Sequence, residues 1–148
     1  MYKIYRFTFV LFFSLLLTNC TDTEQTVRNE VREASKTWIQ HFNQGNTHAI
    51  ADAYTSDALM VALPFGEYKG RTAISGFWTP FVQSGASDLQ YSNINIKVID
   101  NDKAILSASW RMNVGEGIIT NETWIRKGTT WKLIEDHFEV TKQYQKNN

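Results

Sequence analysis

The feature that most constrains the fold is a single change in hydrophobic periodicity near Asp88. Before it, apolar residues recur at steps of three and four, as on one face of a helix. After it, apolar and polar residues alternate, as in half-buried strands. Helices followed by strands predict an α+β domain in which the helices cover one face of an antiparallel sheet. A twisted sheet of this kind is expected to wrap around the helices as a cone.

Two of three predicted helices occupy the first part of the chain. The first starts near Thr21 or Asp22, which can cap it, and stops at Gly45. The second is shorter, is capped by Asn46 and runs to about Tyr54. The apolar face of the first helix consists of Val27, Val31, Ala34, Trp38 and Phe42.

A short strand over residues 59–63 follows and is ended by Pro64. Residues 65–69 are predicted to form a turn and a small strand, and Gly70 opens the third helix. Pro80 is expected to bend or shorten that helix. Its apolar side consists of Ile74, Phe77, Trp78 and Phe81.

Four strands joined as a meander are predicted after the change of period. Turns of Asp, Asn and Gly residues separate them. On the strand of residues 104–112, every second residue is apolar, which predicts that this set faces the core. The other strands are predicted at residues 94–98, 118–126 and 131–140.

The N-terminus has the pattern of an export signal. Lys3 and Arg6 precede an apolar run over residues 7–17, which is about half of the roughly 20 residues that a membrane-spanning helix needs. The segment Leu17-Thr18-Asn19-Cys20 resembles a bacterial lipobox. Residues 1–19 are therefore predicted to be a lipoprotein signal peptide, with a lipid on Cys20 and a polar tether over 20–25. An ordinary secretory signal or an uncleaved anchor are the alternatives.

Composition limits the remaining options. Cys20 is the only cysteine, so a disulfide within the chain and a cysteine-based metal site are both excluded. Removal of the signal leaves 13 basic against 15 acidic residues. Because the sequence also contains no stripe of basic residues, a nucleic-acid partner is not expected. Aromatic residues make up 14% of the chain, which predicts a thick core or a cavity that they line.

Three segments, WIQHFNQGN (38–46), YTSDA (54–58) and WKLIEDHF (131–138), resemble the NTF2-like superfamily in their order and spacing. The nearest branches are SnoaL-like and ketosteroid-isomerase-like proteins, including uncharacterised bacterial domains of the DUF4440 type. The resemblance covers about residues 25–140. It places the domain at 26–141 and leaves 142–148 as a polar tail.

The resemblance implies a cone-shaped half-barrel. In it, three N-terminal helices pack in a curved antiparallel sheet of about four long strands plus a short one. A pocket for a small apolar molecule lies between sheet and helices, no cofactor is implied, and a homodimer forms through the sheet. Since this superfamily hosts enzymes and non-enzymes alike, the resemblance predicts the fold and not the reaction.

A ketosteroid isomerase needs a carboxylate base, a tyrosine and a protonated aspartate. By resemblance the tyrosine falls on Trp38, the base on Ala62 or Leu63, and the protonated acid on Glu122. Because no carboxylate stands at the position of the base, isomerase activity by that set of residues is rejected.

Other polar groups can replace the missing base. If Trp131 and Leu133 face inward, strand alternation turns Glu135 and His137 inward as well. Glu122 would join them, on one face with Ile118, Thr120 and Trp124. Glu122, Glu135 and His137 are thus the candidate acid–base residues. The predicted lining of the pocket is Trp38, His41, Tyr54, Trp78, Trp110 and Trp124.

Two alternatives concern the strands. In the reversed register, Asp136 and Phe138 face the pocket, and His137 lies at the dimer face or in solvent. Glu122 can instead be the cross-strand partner of Arg111 or Lys132.

Two further alternatives concern the helices. His41 can lie on the solvent side of its helix, and Arg71 can either reach an anion at the mouth of the cone or remain solvated. The spacing of His41, His48 and His137 predicts no metal site.

Two functions remain open at this point. The preferred one is an exported, lipid-anchored domain of the bacterial cell envelope, on its periplasmic side or surface. In that interpretation the pocket binds a small apolar ligand without catalysis. The alternative is a cofactor-free isomerase, cyclase or hydratase that uses Glu122, Glu135 and His137.

Overall fold

The structure, a computed structural model, describes residues 16–145, and side chains from residue 23 onward. The larger part of the predicted signal peptide and the last three residues lie outside the described residues, as does the side chain of Cys20. Two helices come first, two strands and a third helix follow, and four long strands come last. The elements are α1 (Leu16–Asn43), α2 (Thr47–Asp52), β1 (Tyr54–Leu63), β2 (Gly66–Lys69), α3 (Arg71–Gln83), β3 (Gln90–Asp100), β4 (Lys103–Met112), β5 (Gly115–Lys127) and β6 (Thr130–Gln143).

The helices agree with the sequence in their existence and differ in three boundaries. α1 already includes Leu16, the first described residue, so the predicted start at Thr21 or Asp22 is wrong, and the predicted tether is helical. The Asn46 side chain caps α2 by accepting a hydrogen bond from the Ala49 N–H at 3.1 Å, as predicted. Tyr54 begins β1 instead of ending α2, and α3 continues past Pro80 to Gln83.

The six strands form one sheet in the order β2-β1-β6-β5-β4-β3. The predicted antiparallel meander is β3 to β6, and β1 joins it by parallel pairing with β6. The α+β class and the curved sheet are therefore confirmed.

The core lies between the helices and the inner face of the sheet. The predicted alternation of β4 is confirmed, because every second residue from Ala104 to Met112 is buried, whereas the residues between them are not. From α1, the buried face carries Val27, Val31, Trp38 and Phe42, and from α3 it carries Ile74, Trp78 and Val82.

Three β-bulges interrupt the pairing of β5 and β6, and two of them affect the side chains at the core. Trp124 pairs with Leu133 but Thr123 pairs with Glu135, so Ile134 is an extra residue on β6. Likewise, Thr120 of β5 has no partner on β6. Each extra residue turns all later side chains to the other face of the sheet relative to strict alternation.

Candidate functional site

A cavity of about 570 Å³ lies between α1, α3 and the inner face of the sheet. Its walls are almost entirely apolar and rich in aromatic rings. Trp78 and Phe138 stack with their ring centres 5.6 Å apart, and Trp38 packs edge-on against Trp78 at 5.4 Å. The polar side chains in the walls are Tyr91, Asp136, Gln143 and Tyr144.

Asp136 supplies the one carboxyl group in the described lining. Its side chain is 4% exposed, and its Oδ2 accepts a hydrogen bond from the Tyr54 hydroxyl at 2.6 Å. That hydroxyl in turn accepts a hydrogen bond from the indole N–H of Trp78 at 3.1 Å. A chain of hydrogen bonds from Trp78 through Tyr54 therefore holds the Asp136 carboxyl at the cavity wall.

Glu122 lies directly opposite Asp136 on the neighbouring strand β5 and is 3% exposed. Both of its carboxyl oxygens are occupied. Tyr91 donates its hydroxyl to Oε1, and Trp124 donates its indole N–H to Oε2, each at 2.9 Å. Because Tyr91 also lines the cavity, its hydroxyl links the cavity wall to the Glu122 carboxyl behind it.

The two carboxyl groups are unusually weak acids because they are buried side by side. Burial and the charge of Asp136 raise the pKa of Glu122 to about 8, against the hydrogen bonds from Trp124 and Tyr91. Burial raises the pKa of Asp136 to about 6, although the hydrogen bond from Tyr54 lowers it. At neutral pH the pair therefore shares one proton and carries one negative charge.

The tyrosines of the network remain hydrogen-bond donors. Burial, followed by the charge of Asp136, raises the pKa of Tyr54 well above its usual range. Burial and the charge of Glu122 do the same to the pKa of Tyr91. Both hydroxyls therefore stay protonated at neutral pH.

Glu135 and His137 lie on the opposite face of the sheet, so the expectation that they point into the pocket with Glu122 is wrong. The extra residue Ile134 is the cause, since Leu133 faces inward and Asp136 is the next inward residue. Glu135 instead accepts hydrogen bonds from Asn121 at 2.9 Å and from Thr123 at 3.1 Å, and these lower its pKa. The reversed register thus holds beyond the bulge.

His137 has no hydrogen-bond partner for its buried Nε2 among the described residues. The bulge at Thr120 corrects a second expectation, because Ile118 and Thr120 face outward while Glu122 and Trp124 face inward. Glu122 also does not form the cross-strand ion pair that was the alternative. Arg111 binds Glu116 instead, and Lys132 donates a hydrogen bond to the Asp52 carbonyl.

The predicted lining residues divide into three groups. Trp38, Trp78 and Trp110 are in the cavity walls. Tyr54 and Trp124 lie behind the wall and reach the site through Asp136 and Glu122. His41 lies outside the cavity, and together with Trp124 it lines a separate, polar cleft between α1, α2 and the β5–β6 hairpin.

Sequence reasoning missed Tyr91 and gave Asp136 only as an alternative. Tyr91 lies where β3 begins, with no local signal that distinguishes it from a surface aromatic residue. Asp136 points into the cavity only because of the bulge at Ile134. An isoleucine is common in regular strands, so the sequence gives no sign of a bulge at this position. Arg71 does not reach the mouth of the cone; it donates to the Tyr54 carbonyl and lies 3.6 Å from Asp52.

The described part of the chain contains no cluster of three or more His, Cys, Asp or Glu side chains that could hold a metal ion. It also contains no helix that is long and apolar enough to cross a membrane. The network at the cavity wall consists of the Glu122–Asp136 carboxyl pair and two tyrosine hydroxyls that donate to it.

Fold and site together define a cone-shaped α+β domain with an aromatic cavity and a buried carboxyl pair at its wall. The chain belongs to the SnoaL-like domain family, whose model matches residues 36–137. No functionally curated protein matches it.

Many solved structures share the fold. One, from Novosphingobium aromaticivorans, is proposed by its name to be a scytalone dehydratase; it is 16% identical, with a TM-score of 0.74 over 86% of this chain and 93% of that one. Another, from Streptomyces avermitilis, is proposed to be a dehydratase of the NTF2-like family and is 11% identical, with a TM-score of 0.70 over 80% and 98%. At such identities the likeness establishes the fold and leaves the reaction open.

Proposed function

We propose that this domain binds a small, mostly apolar molecule in the aromatic cavity and exchanges a proton with it through Asp136. The observation that carries the proposal is a buried carboxyl group, with its pKa raised to about 6, in the wall of an otherwise apolar cavity. A titratable group with a perturbed pKa in such a cavity is the usual mark of an active site.

The pKa of Asp136 suits this task. A general acid or base works best when its pKa lies near the pH at which it operates, because both protonation states are then accessible. An ordinary surface aspartate is a much weaker base. Asp136 also has an oxygen, Oδ1, to which no group of the described chain donates, whereas both oxygens of Glu122 are occupied.

Asp136 is therefore the group that meets the ligand, and Glu122 is a positioning residue behind it. The proton that the pair shares can reside on Glu122, which has the higher pKa, and leave Asp136 ionised as a base. The expected reactions are those that begin with removal of a proton from carbon, namely an isomerisation, a cyclisation or the loss of water. The names of the two dehydratase-like neighbours are compatible with the last.

A binding module without catalysis is the second candidate. It is favoured by Ala62, which occupies the place where the resemblance to ketosteroid isomerases puts the base, and which is buried and carries no acid. In that case the pair would serve only to orient the ligand.

Proton exchange separates the two candidates. We expect the protein to speed the exchange of the hydrogens beside the carbonyl of naphthylacetone in D2O, followed by NMR. Asp136→Asn should slow this exchange about 100- to 10,000-fold, the usual contribution of a general acid or base. The control is Glu139→Gln, the same change of charge at an exposed residue of β6.

If the wild type binds naphthylacetone without catalysing exchange, the domain is a binding module. If Asp136→Asn exchanges as fast as the wild type, Asp136 is not the base.

We further propose that the chain is exported and held at the bacterial envelope by a lipid on Cys20. α1 contains both Cys20 and Trp38, which a helical rise of 1.5 Å per residue separates by about 27 Å. The cavity would therefore stand away from the membrane. Metabolic labelling with a fatty acid should mark the wild type and leave Cys20→Ala unlabelled; an unlabelled wild type would end this proposal.

A further inference from the structure

The cavity has an unbalanced set of charges. Its described lining contains the Asp136 carboxyl and no lysine, arginine or histidine. A ligand that enters the cavity therefore meets a negative group and no positive one. An anionic ligand would be repelled, and it would lose its hydration without a partner.

Among the described residues, the carboxyl pair also has no positively charged partner outside the lining. Around it stand Tyr54 from β1, Tyr91 from β3 and Trp124 from β5, all of which are uncharged donors. From the helices, Trp78 reaches it only through the Tyr54 hydroxyl. Neither Glu122 nor Asp136 forms an ion pair with a described residue. The carboxylates that do form ion pairs in the described part of the chain are Glu24, Glu30, Glu33, Asp52, Asp102 and Glu116.

A buried negative charge without a counter-charge is costly, and proteins pair such charges or bind an ion to them. Here no basic side chain of residues 23–145 forms an ion pair with either carboxyl group. The space next to Asp136 is the cavity itself, so a counter-charge can reach the pair from the ligand.

The aromatic walls favour the same kind of ligand. The faces of aromatic rings carry partial negative charge and attract a cation that lies within about 6 Å of the ring centre. Trp78 and Phe138 line the same cavity as Asp136 with their rings stacked on each other. Trp38 packs against Trp78, and Trp110 packs against Phe138. A carboxylate inside a set of aromatic rings is an arrangement that recognises a positively charged nitrogen.

We propose that the ligand of this cavity carries a positively charged nitrogen on a flat apolar body, and that the Glu122–Asp136 pair neutralises this nitrogen. The inference rests on the proposed function and narrows its substrate class from apolar molecules in general to organic amines. It is compatible with proton transfer, because a positive nitrogen makes the neighbouring C–H groups more acidic and so assists Asp136 as a base.

Three probes of equal shape and different charge test the proposal: naphthylethylamine, naphthylethanol and naphthylacetate. Their affinities for the wild-type protein are measured by calorimetry at about pH 8, where Asp136 is ionised. We expect the amine to bind at least about 10-fold more tightly than the alcohol, and the carboxylate to bind most weakly. At about pH 5 the pair is protonated and the preference for the amine should be lost.

Variants identify the source of the preference. Asp136→Asn should reduce the preference for the amine over the alcohol at least about 10-fold while the alcohol still binds. The matched control, Glu139→Gln, should keep the full preference. Because the comparison of pH values uses the unmodified protein, the test does not depend on whether Asp136→Asn folds.

The outcomes separate the two proposals. If the alcohol binds as tightly as the amine at about pH 8, or if the amine preference survives in Asp136→Asn, the proposal of a cationic ligand is wrong. The proposal that the cavity is a binding site is not affected by that result. If none of the three probes binds, the proposed function fails and this inference fails with it.

Discussion

Among single residues, Glu122 and Asp136 dominate the electrostatics of the interior. They face each other across β5 and β6, and neither is paired with a base within the described chain. Four donors, from Tyr54, Tyr91, Trp78 and Trp124, orient the pair directly or through one another. Such a network positions a reactive group at the expense of stability, because burial opposes its ionisation.

The pair makes stability depend on pH. Because both pKa values are raised in the folded state, the folded protein binds more protons than the unfolded chain between about pH 4 and about pH 8. The stability is therefore fully present below this window and falls as the pH rises through it. Glu122→Gln removes the group with the higher pKa, so it should flatten this dependence and stabilise the protein at about pH 8 by roughly 1–3 kcal/mol.

Urea unfolding across this pH window measures the effect, with Glu139→Gln as the exposed control. An equally steep loss of stability in Glu122→Gln would mean that the pair is not the source.

A second residue-scale feature is the absence of a side chain at Gly117. A Cβ built there would lie 1.9 Å from the Glu139 carbonyl oxygen and 2.6 Å from the Trp110 ring. The close approach of β6 and the position of Trp110 in the cavity wall both depend on this glycine.

Gly117→Ala should therefore destabilise the protein by about 2–4 kcal/mol, because backbone atoms cannot move aside cheaply. Gly76→Ala is the control, since no atom lies within 4 Å of a Cβ at that position of α3. This control should be neutral or stabilising by up to about 1 kcal/mol. Urea unfolding of both variants is the measurement, and equal stabilities would contradict the close contact at Gly117.

At the scale of elements, the bulges of β5 and β6 determine which side chains reach the cavity. Strict alternation from Leu133 would put Glu135 and His137 inside, whereas the extra residue Ile134 puts Asp136 and Phe138 there. The strand also bends at a bulge, which helps the sheet to curve around the helices.

Deletion of Ile134 is predicted to be tolerated better than deletion of its neighbour Lys132. Without Ile134, regular alternation from Leu133 again turns Asp136 inward, so the cost should be about 1–3 kcal/mol from lost packing and curvature. Lys132 pairs regularly with Ile125, and its loss would turn either Trp131 or the whole later strand to the wrong face. Thermal unfolding of both deletions tests this; a folded Lys132 deletion beside an unfolded Ile134 deletion would refute it.

For the whole molecule, the outer face of the sheet is the surface on which dimerisation was predicted. Ile118 lies on this face in β5, which is not an edge strand, and it is 39% exposed, because the bulge at Thr120 leaves it on the outer side. Exposed apolar residues on an open sheet favour burial against a partner.

Dimerisation stays a prediction, and Ile118→Lys tests it. If two copies join through this face, a buried lysine should weaken the dimer at least about 10-fold, as measured by sedimentation. Ile99→Lys, on the outer side of the edge strand β3, is the control and should have a smaller effect. A monomeric wild type, or equal dimerisation of both variants, would contradict the prediction.

Local patterns determined much of this protein by themselves. The alternation from Ala104 to Met112, the cap at Asn46 and the helix opened by Gly70 each depend on neighbouring residues only, and each is confirmed. The change from helical to strand periodicity was sufficient to assign the α+β class.

Only the tertiary structure decided the composition of the site. Glu135, Asp136 and His137 are consecutive, so a bulge one residue upstream determines which of their side chains point into the cavity. The position of that bulge depends on the pairing of β6 with β5 and β1. The raised pKa values likewise arise because Glu122 and Asp136, distant in sequence, become buried neighbours. Periodicity depends on neighbouring residues, so the sequence was sufficient to predict it. Strand register and burial depend on contacts between distant segments, so only the tertiary structure determines them.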